Sequence, residues 1–215
     1  VTIGGKKVAA AEGWVIDNFT SEIEINKNTA VKIKETINAD FANLQKHGIY
    51  RAIPVKYKDR YGNNLDIRFE LLSVTDEKGR TVNYSQAQEG NNIKIKIGDA
   101  ERTVSGKQTY TISYRVQRVI TQPNKDAEFY WNVTGNEWEA PILIARAIVK
   151  APGGSIKDAI CFSGGYGSKE QQCDHNYQGD MAKFTTSGIL ESGSGLTIGV
   201  AMDSAKLDLP SMTQK

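Results

Sequence analysis

Apolar and polar residues alternate one for one along most of this chain, a period of two that dictates extended strands with one buried and one wet face. Phe19, Ser21, Ile23 and Ile25 alternate with Thr20, Glu22 and Glu24. After the turn chemistry of Asn26-Lys27-Asn28-Thr29, the residues Val31, Ile33, Glu35, Ile37 and Ala39 alternate with Lys32, Lys34, Thr36 and Asn38. The two runs read as an antiparallel hairpin, and Glu35 places a carboxylate in its apolar row. The alternation returns over residues 65–74, at Ile93, Ile95 and Ile97 against Lys94 and Lys96, and over 109–119, where Tyr110, Ile112, Tyr114 and Val116 share a face. Residues 142–149, 159–162, 181–185 and 196–202 complete the pattern. Helical periodicity is almost absent, with a turn or two conceivable at 39–46. Strands repeating without crossover helices predict an all-β fold, an antiparallel β-sandwich of about ten short strands.

A chain of 215 residues can build one large β domain or two small ones. No repeat of fixed period and no Pro/Ser-rich linker divides it. The expected organisation is a flexible N-terminal segment over 1–13, a single sandwich over 14–203 and a linker over 204–215, the alternative being two subdomains meeting near 121–126. Lys and Arg number 27 against 25 Asp and Glu, without a long run of one sign, so nucleic acid is not an expected partner. No window approaches the 18 or so apolar residues of a membrane-spanning helix. Residues 1–11 carry Lys6 and Lys7 before Val8-Ala9-Ala10-Ala11 but lack the apolar core of a secretion signal.

The two cysteines, Cys161 and Cys173, bracket Ser163-Gly164-Gly165-Tyr166-Gly167-Ser168. A disulfide there would stabilise by about 3 kcal/mol in the chain-entropy model and imply an oxidising compartment. Two free thiols are the alternative. A metal site would have to recruit Asp174 and His175 across the glycine-rich loop, and no metal or other cofactor is expected.

Residues 129–141 are the densest stretch in the chain. They hold Tyr130, Trp131, Asn132, Asn136, Glu137 and Trp138, with Gly135-Asn136 supplying a turn and Glu128 just before. The other dense stretch is His47-Gly48-Ile49-Tyr50-Arg51-Ala52-Ile53-Pro54, which reads as a non-periodic loop. His47, Tyr50 and Arg51 are candidate ligand contacts, since a guanidinium offers a planar fork to carboxylate or phosphate. They can equally clamp their own loop by bonding backbone carbonyls. A loop with buried polar groups needs acceptors from another irregular segment, so Arg51 is expected to reach the 130–138 corner and stack on Trp131 or Trp138. Glu128, Glu137 and Glu139 beside those tryptophans resemble the acids and stacking rings of sugar-active sites, or are surface charge beside core rings. His47 and His175 have no partner motif, and no Gly-x-Ser-x-Gly, phosphate loop or dinucleotide fingerprint occurs. No catalytic residue is therefore assigned.

His47-Gly48-Ile49-Tyr50-Arg51 followed by Ile53-Pro54, Ser73-Val74-Thr75-Asp76, Ile97-Gly98-Asp99 and Tyr130 through Trp138, in this order and spacing, resemble the N-terminal extracytoplasmic domain of a bacterial predicted membrane protein family known as domain of unknown function 2207. Ala52 departs from that pattern, which often has an acid there, and this weakens any catalytic carboxylate in the 47–54 stretch. The resemblance implies a signal peptide before this domain and membrane helices after it, outside this chain. It implies the extracytoplasmic face of the bacterial membrane, with attachment through that missing segment and an envelope component or another membrane protein as partner. The function expected is that of a non-enzymatic binding or interaction ectodomain, the alternative being a carbohydrate-active enzyme using the acids around Trp131 and Trp138.

Overall fold

A computed structural model describes residues 2–3, 6–7, 13–59 and 61–209. The fold is all-β, with three main sheets whose buried faces merge into one continuous apolar cluster. A seven-stranded sheet runs in the order Cys173–Gln178, Met181–Thr186, Ala145–Lys150, Val15–Ile25, Val31–Asp40, Lys107–Gln117, Arg68–Thr75. All its pairings are antiparallel except Ala145–Lys150 beside Val15–Ile25. A four-stranded sheet orders Ile120–Thr121, Ala127–Asn132, Gly195–Met202 and Ile156–Gly164. A three-stranded ribbon orders Gly48–Pro54, Asn92–Gly98 and Tyr84–Glu89, and a short hairpin pairs Lys56–Lys58 with Asn64–Asp66. The expected flexible segment at 1–13 lies largely outside the described residues, as do 210–215.

The alternating rows become the core. Ile33, Ile37, Ile112, Tyr114 and Val116 are fully buried on one face of the large sheet, and so is Glu35. The register sets Glu35 opposite Ser21 on one side and Ile112 on the other. Tyr114 crosses to Trp131 of the four-stranded sheet at 6.5 Å between ring centroids, and Trp131 stacks on Phe129 at 6.1 Å. Large rings in offset contact bury much apolar area and hold the layers in register. Residues 39–46 form no helix: Ala42 takes φ 50 and the Leu44 N–H bonds back to the Phe41 carbonyl, closing a tight turn before the Lys46 bridge to Val104. A turn suffices because the neighbouring strands must reverse there. At the other end Ser204–Lys206 makes one 3-10 turn, Leu207 is buried, and the Asp208 N–H donates to the Lys27 carbonyl.

Cys161 and Cys173 are bonded, with Cα atoms 6.3 Å apart. Cys161 belongs to an edge strand of the four-stranded sheet and Cys173 to an edge strand of the large one, so the bridge staples two sheets at their rims. Replacing both with serine is expected to lower stability by about 3 kcal/mol. In a domain this size that is a melting-temperature loss of about 6–12 °C, measurable by circular dichroism. A change under about 2 °C would show that packing alone holds the two edges together.

Candidate functional site

Arg51 and Glu35, the two charges that interrupt apolar rows, meet in the core. The 47–54 stretch is not a loop, because Gly48–Pro54 is a strand in register with Asn92–Gly98 that sends Ile49, Arg51 and Ile53 inward. Its alternation is hidden in the sequence only because the middle inward residue is charged. The guanidinium grips the carboxylate through two bonds, Nε to Oε2 at 2.7 Å and Nη2 to Oε1 at 2.7 Å. The Tyr114 hydroxyl donates to Oε1 at 2.6 Å. The remaining guanidinium hydrogens go to carbonyls: Nη2 to Val133 at 2.9 Å, Nη1 to Thr134 at 2.8 Å and Ala52 at 2.5 Å. Arg51 therefore reaches the 130–138 corner, but the ring beneath it is Phe19, at 5.5 Å, rather than a tryptophan. Burial works against the Arg51 charge, yet Glu35 and Tyr114 outweigh it and hold the pKa above its ordinary value. Burial, with the Glu35 charge adding to it, pushes the Tyr114 phenol well up. This cluster links three layers, and its satisfied valences make it structural.

The corner turns at Gly135, with φ 74, where a Cβ would lie 2.7 Å from Arg51 Nη1. Trp131 and Trp138 are 1% and 5% exposed, and Trp138 Nε1 donates to the Thr134 carbonyl at 2.7 Å. Neither ring offers a face for stacking a sugar. Nor do the three acids gather around them: Glu128 is buried beside the Tyr61 hydroxyl at 3.1 Å, while Glu137 and Glu139 are exposed.

An open cleft of about 560 Å³ lies between the Gly48–Pro54 ribbon and the corner. His47, Tyr50, Glu137, Trp138 and Glu139, of the residues singled out in the sequence, line it. His47 Nδ1 stands 3.1 Å from both the Asp99 and Arg102 carbonyls, so this nitrogen carries the proton and donates. Tyr50 is 56% exposed. Glu137 accepts from the Asn92 amide. Arg51 and Trp131 lie beneath, in the core. Tyr130, Asn132 and Asn136 line a smaller recess of about 180 Å³ against the glycine-rich disulfide loop. The two amides there are spent on structure, Asn132 on Asn136 at 2.7 Å and Asn136 on the Gly164 carbonyl at 3.1 Å. The candidate residues thus divide among two recesses and the core.

Sequence reasoning missed the cleft's basic side. Lys46, Lys94 and Lys96 line it with Trp14, and the latter two lysines look like any wet strand face until the corner is folded opposite them. Lys94 Nζ sits 5.2 Å over the Tyr50 ring and 3.2 Å from Glu89, and Lys46 Nζ sits 5.8 Å over Trp14. Among the described residues Lys96 and Glu139 make no ion pair.

Residues 15–202 match the family described as Predicted membrane protein (DUF2207) N-terminal domain. The chain belongs to this family. No curated protein matches the sequence. In solved structures the DUF2207 domain is similar to part of native leukotriene A4 hydrolase from Saccharomyces cerevisiae. One such structure gives TM-score 0.53 at 8% identity over 88% of this chain and 29% of that one, and another gives 0.51 at 8% over 87% and 29%. A zinc metallopeptidase from Deinococcus radiodurans gives 0.45 at 10% over 87% and 42%. The domain thus spans less than a third of the yeast hydrolase, and at this identity the likeness is one of fold alone. Among the described residues no helix of the DUF2207 domain is long and apolar enough to cross a membrane.

Proposed function

We propose that this DUF2207 domain is a non-enzymatic binding module on the extracytoplasmic face of the bacterial membrane, contacting an envelope component or another membrane protein through the cleft beside Gly48–Pro54. The cleft carries the reading. Its volume falls within the usual range of ligand sites, and it sets aromatic and charged side chains around a buried floor. The disulfide supports an oxidising location. The catalytic alternative loses its support because the tryptophans are buried and the acids dispersed.

The test is retention. Domain immobilised on a resin is incubated with solubilised bacterial envelope, alongside a double variant, Lys96→Glu with Glu139→Lys, that reverses two exposed charges and leaves the core untouched. Wild type is expected to retain a defined component at least about fivefold better than the variant, since like-charge encounters suppress partners. Equal retention, or none, overturns the proposal. Turnover of envelope glycans that Glu137→Gln abolishes would replace it with an enzyme.

A further inference from the structure

We infer that the cleft takes an extended peptide strand carrying both an acidic and a basic side chain, added to the open edge of Gly48–Pro54. This rests on the reading of the cleft as a binding site and names what fills it. Three observations converge: an unpaired strand edge, walls of opposite charge, and a length of edge that suits a short extended segment.

Among the described residues Gly48–Pro54 is the terminal strand of its ribbon, paired with Asn92–Gly98 on one side and with no strand on the other. Along such an edge alternate residues direct both N–H and C=O away from the ladder. The Ala52 carbonyl leaves the ladder to accept from Arg51 Nη1, which assigns Ala52, Tyr50 and Gly48 to the open side. Those same three residues line the cleft. Gly48 and Tyr50 make no backbone bond outside their ladder, so their donors and acceptors await a partner. Open edges invite strand addition, in which main-chain bonds supply affinity and flanking side chains supply choice. The free edge runs from Gly48 to Tyr50 and ends where the Ala52 carbonyl is already held by Arg51 Nη1, enough to pair with about three residues of an extended peptide.

The walls make the choice. Lys96 is exposed on the ribbon and Glu139 is exposed on the facing corner, and among the described residues neither has a counter-charge. A glycan carrying neither charge, or a polyanion, would leave Glu139 unmatched or repelled. An extended peptide with one acidic and one basic residue matches both, and its apolar residues meet Tyr50 and the buried rim of Ile49 and Ile97.

Two blocked peptides test this, acetyl-Thr-Val-Asp-Val-Lys-Val-Thr-amide and acetyl-Thr-Val-Asp-Lys-Val-Thr-amide, titrated into isotopically labelled domain. At least one is expected to shift the backbone amide resonances of Gly48 and Tyr50, and binding is expected to weaken about tenfold when Asp and Lys become Asn and Gln. N-methylation of alternate peptide amides abolishes binding under strand addition. Lys96→Glu weakens the parent peptide about tenfold, and Lys96→Glu with Glu139→Lys restores binding to a peptide with Asp and Lys exchanged. Binding indifferent to N-methylation, binding of polyphosphate or chitotetraose in place of both peptides, or no peptide binding overturns the inference. Envelope retention with no peptide binding sinks the peptide alone, whereas loss of both removes the cleft as a site.

Discussion

Arg51→Met is expected to lower the unfolding free energy by about 3–5 kcal/mol, because it strands the Glu35 carboxylate in the core without its counter-charge. Glu35 keeps the Tyr114 hydroxyl at 2.6 Å, but a single neutral donor does not replace the paired N–H bonds of a guanidinium. The Val133 carbonyl loses its bond from Nη2, whereas the Thr134 carbonyl retains Trp138 Nε1. Damage is therefore expected to centre on Val133 and its neighbour Trp131, and to show as a shift in tryptophan emission. Since domains of this kind have about 5–15 kcal/mol in hand, the variant should fold marginally.

Glu35→Met is expected to be equally damaging, leaving a buried cation. The double variant Glu35→Met with Arg51→Met discriminates the causes: with both charges gone it is expected to recover about 0.5–3 kcal/mol against the sum of the singles. Urea denaturation of the four proteins measures this. A loss below about 1 kcal/mol for Arg51→Met would mean that water reaches Glu35 and that the pair is not the joint between the layers.

The buried pair also shows what a single sequence exposes and what it conceals. The strands, the all-β class and the tyrosine face over Tyr110 to Val116 follow from period two, because each such residue votes independently for the same face. Glu35 and Arg51 each cast one contrary vote. Taken alone, Glu35 is a break in a strand, and Arg51 turns Ile49, Ile53 and itself into an apparent loop. Taken together they are a salt bridge, but pairing them requires knowing that the ribbon lies over the large sheet, sixteen residues away in sequence and one layer away in space. The disulfide was legible from the glycine-rich loop between its cysteines, though not its place at two sheet rims. The cleft was half legible. His47, Tyr50, Glu137 and Trp138 stood out by residue type, whereas Lys94 and Lys96 occupy an ordinary polar face and acquire meaning only when residues 134–139 fold opposite them. Trp131 drew notice for its ring, but ring chemistry does not say whether a tryptophan plugs a core or lines a surface.

A close backbone approach in the ribbon gives the other large effect. Gly48 and Gly98 are register partners at the end of their ladder, with φ of 133 and 131, in a region open to glycine and costly to any residue with a Cβ. A Cβ built on Gly48 would lie 1.8 Å from the Ile97 carbonyl oxygen, and one on Gly98 would lie 1.9 Å from the His47 carbonyl oxygen. Neither obstacle is the end of a flexible side chain, so the strands must part. Backbone strain of about 1–3 kcal/mol and a displacement cost of about 1–3 kcal/mol then add. Gly48→Ala is therefore expected to cost roughly 2–6 kcal/mol in urea denaturation. Because Gly48 carries the open edge that lines the cleft, the same change is expected to broaden the amide resonances of Ile49 and Tyr50 before the rest of the domain unfolds. Gly90→Asn is the control, since Gly90 has φ 58 with open space around it, a conformation asparagine tolerates at little cost. If Gly48→Ala proved no more destabilising than Gly90→Asn, the two strands would not approach as closely as this geometry requires, and the edge they present to the cleft would have to be redrawn.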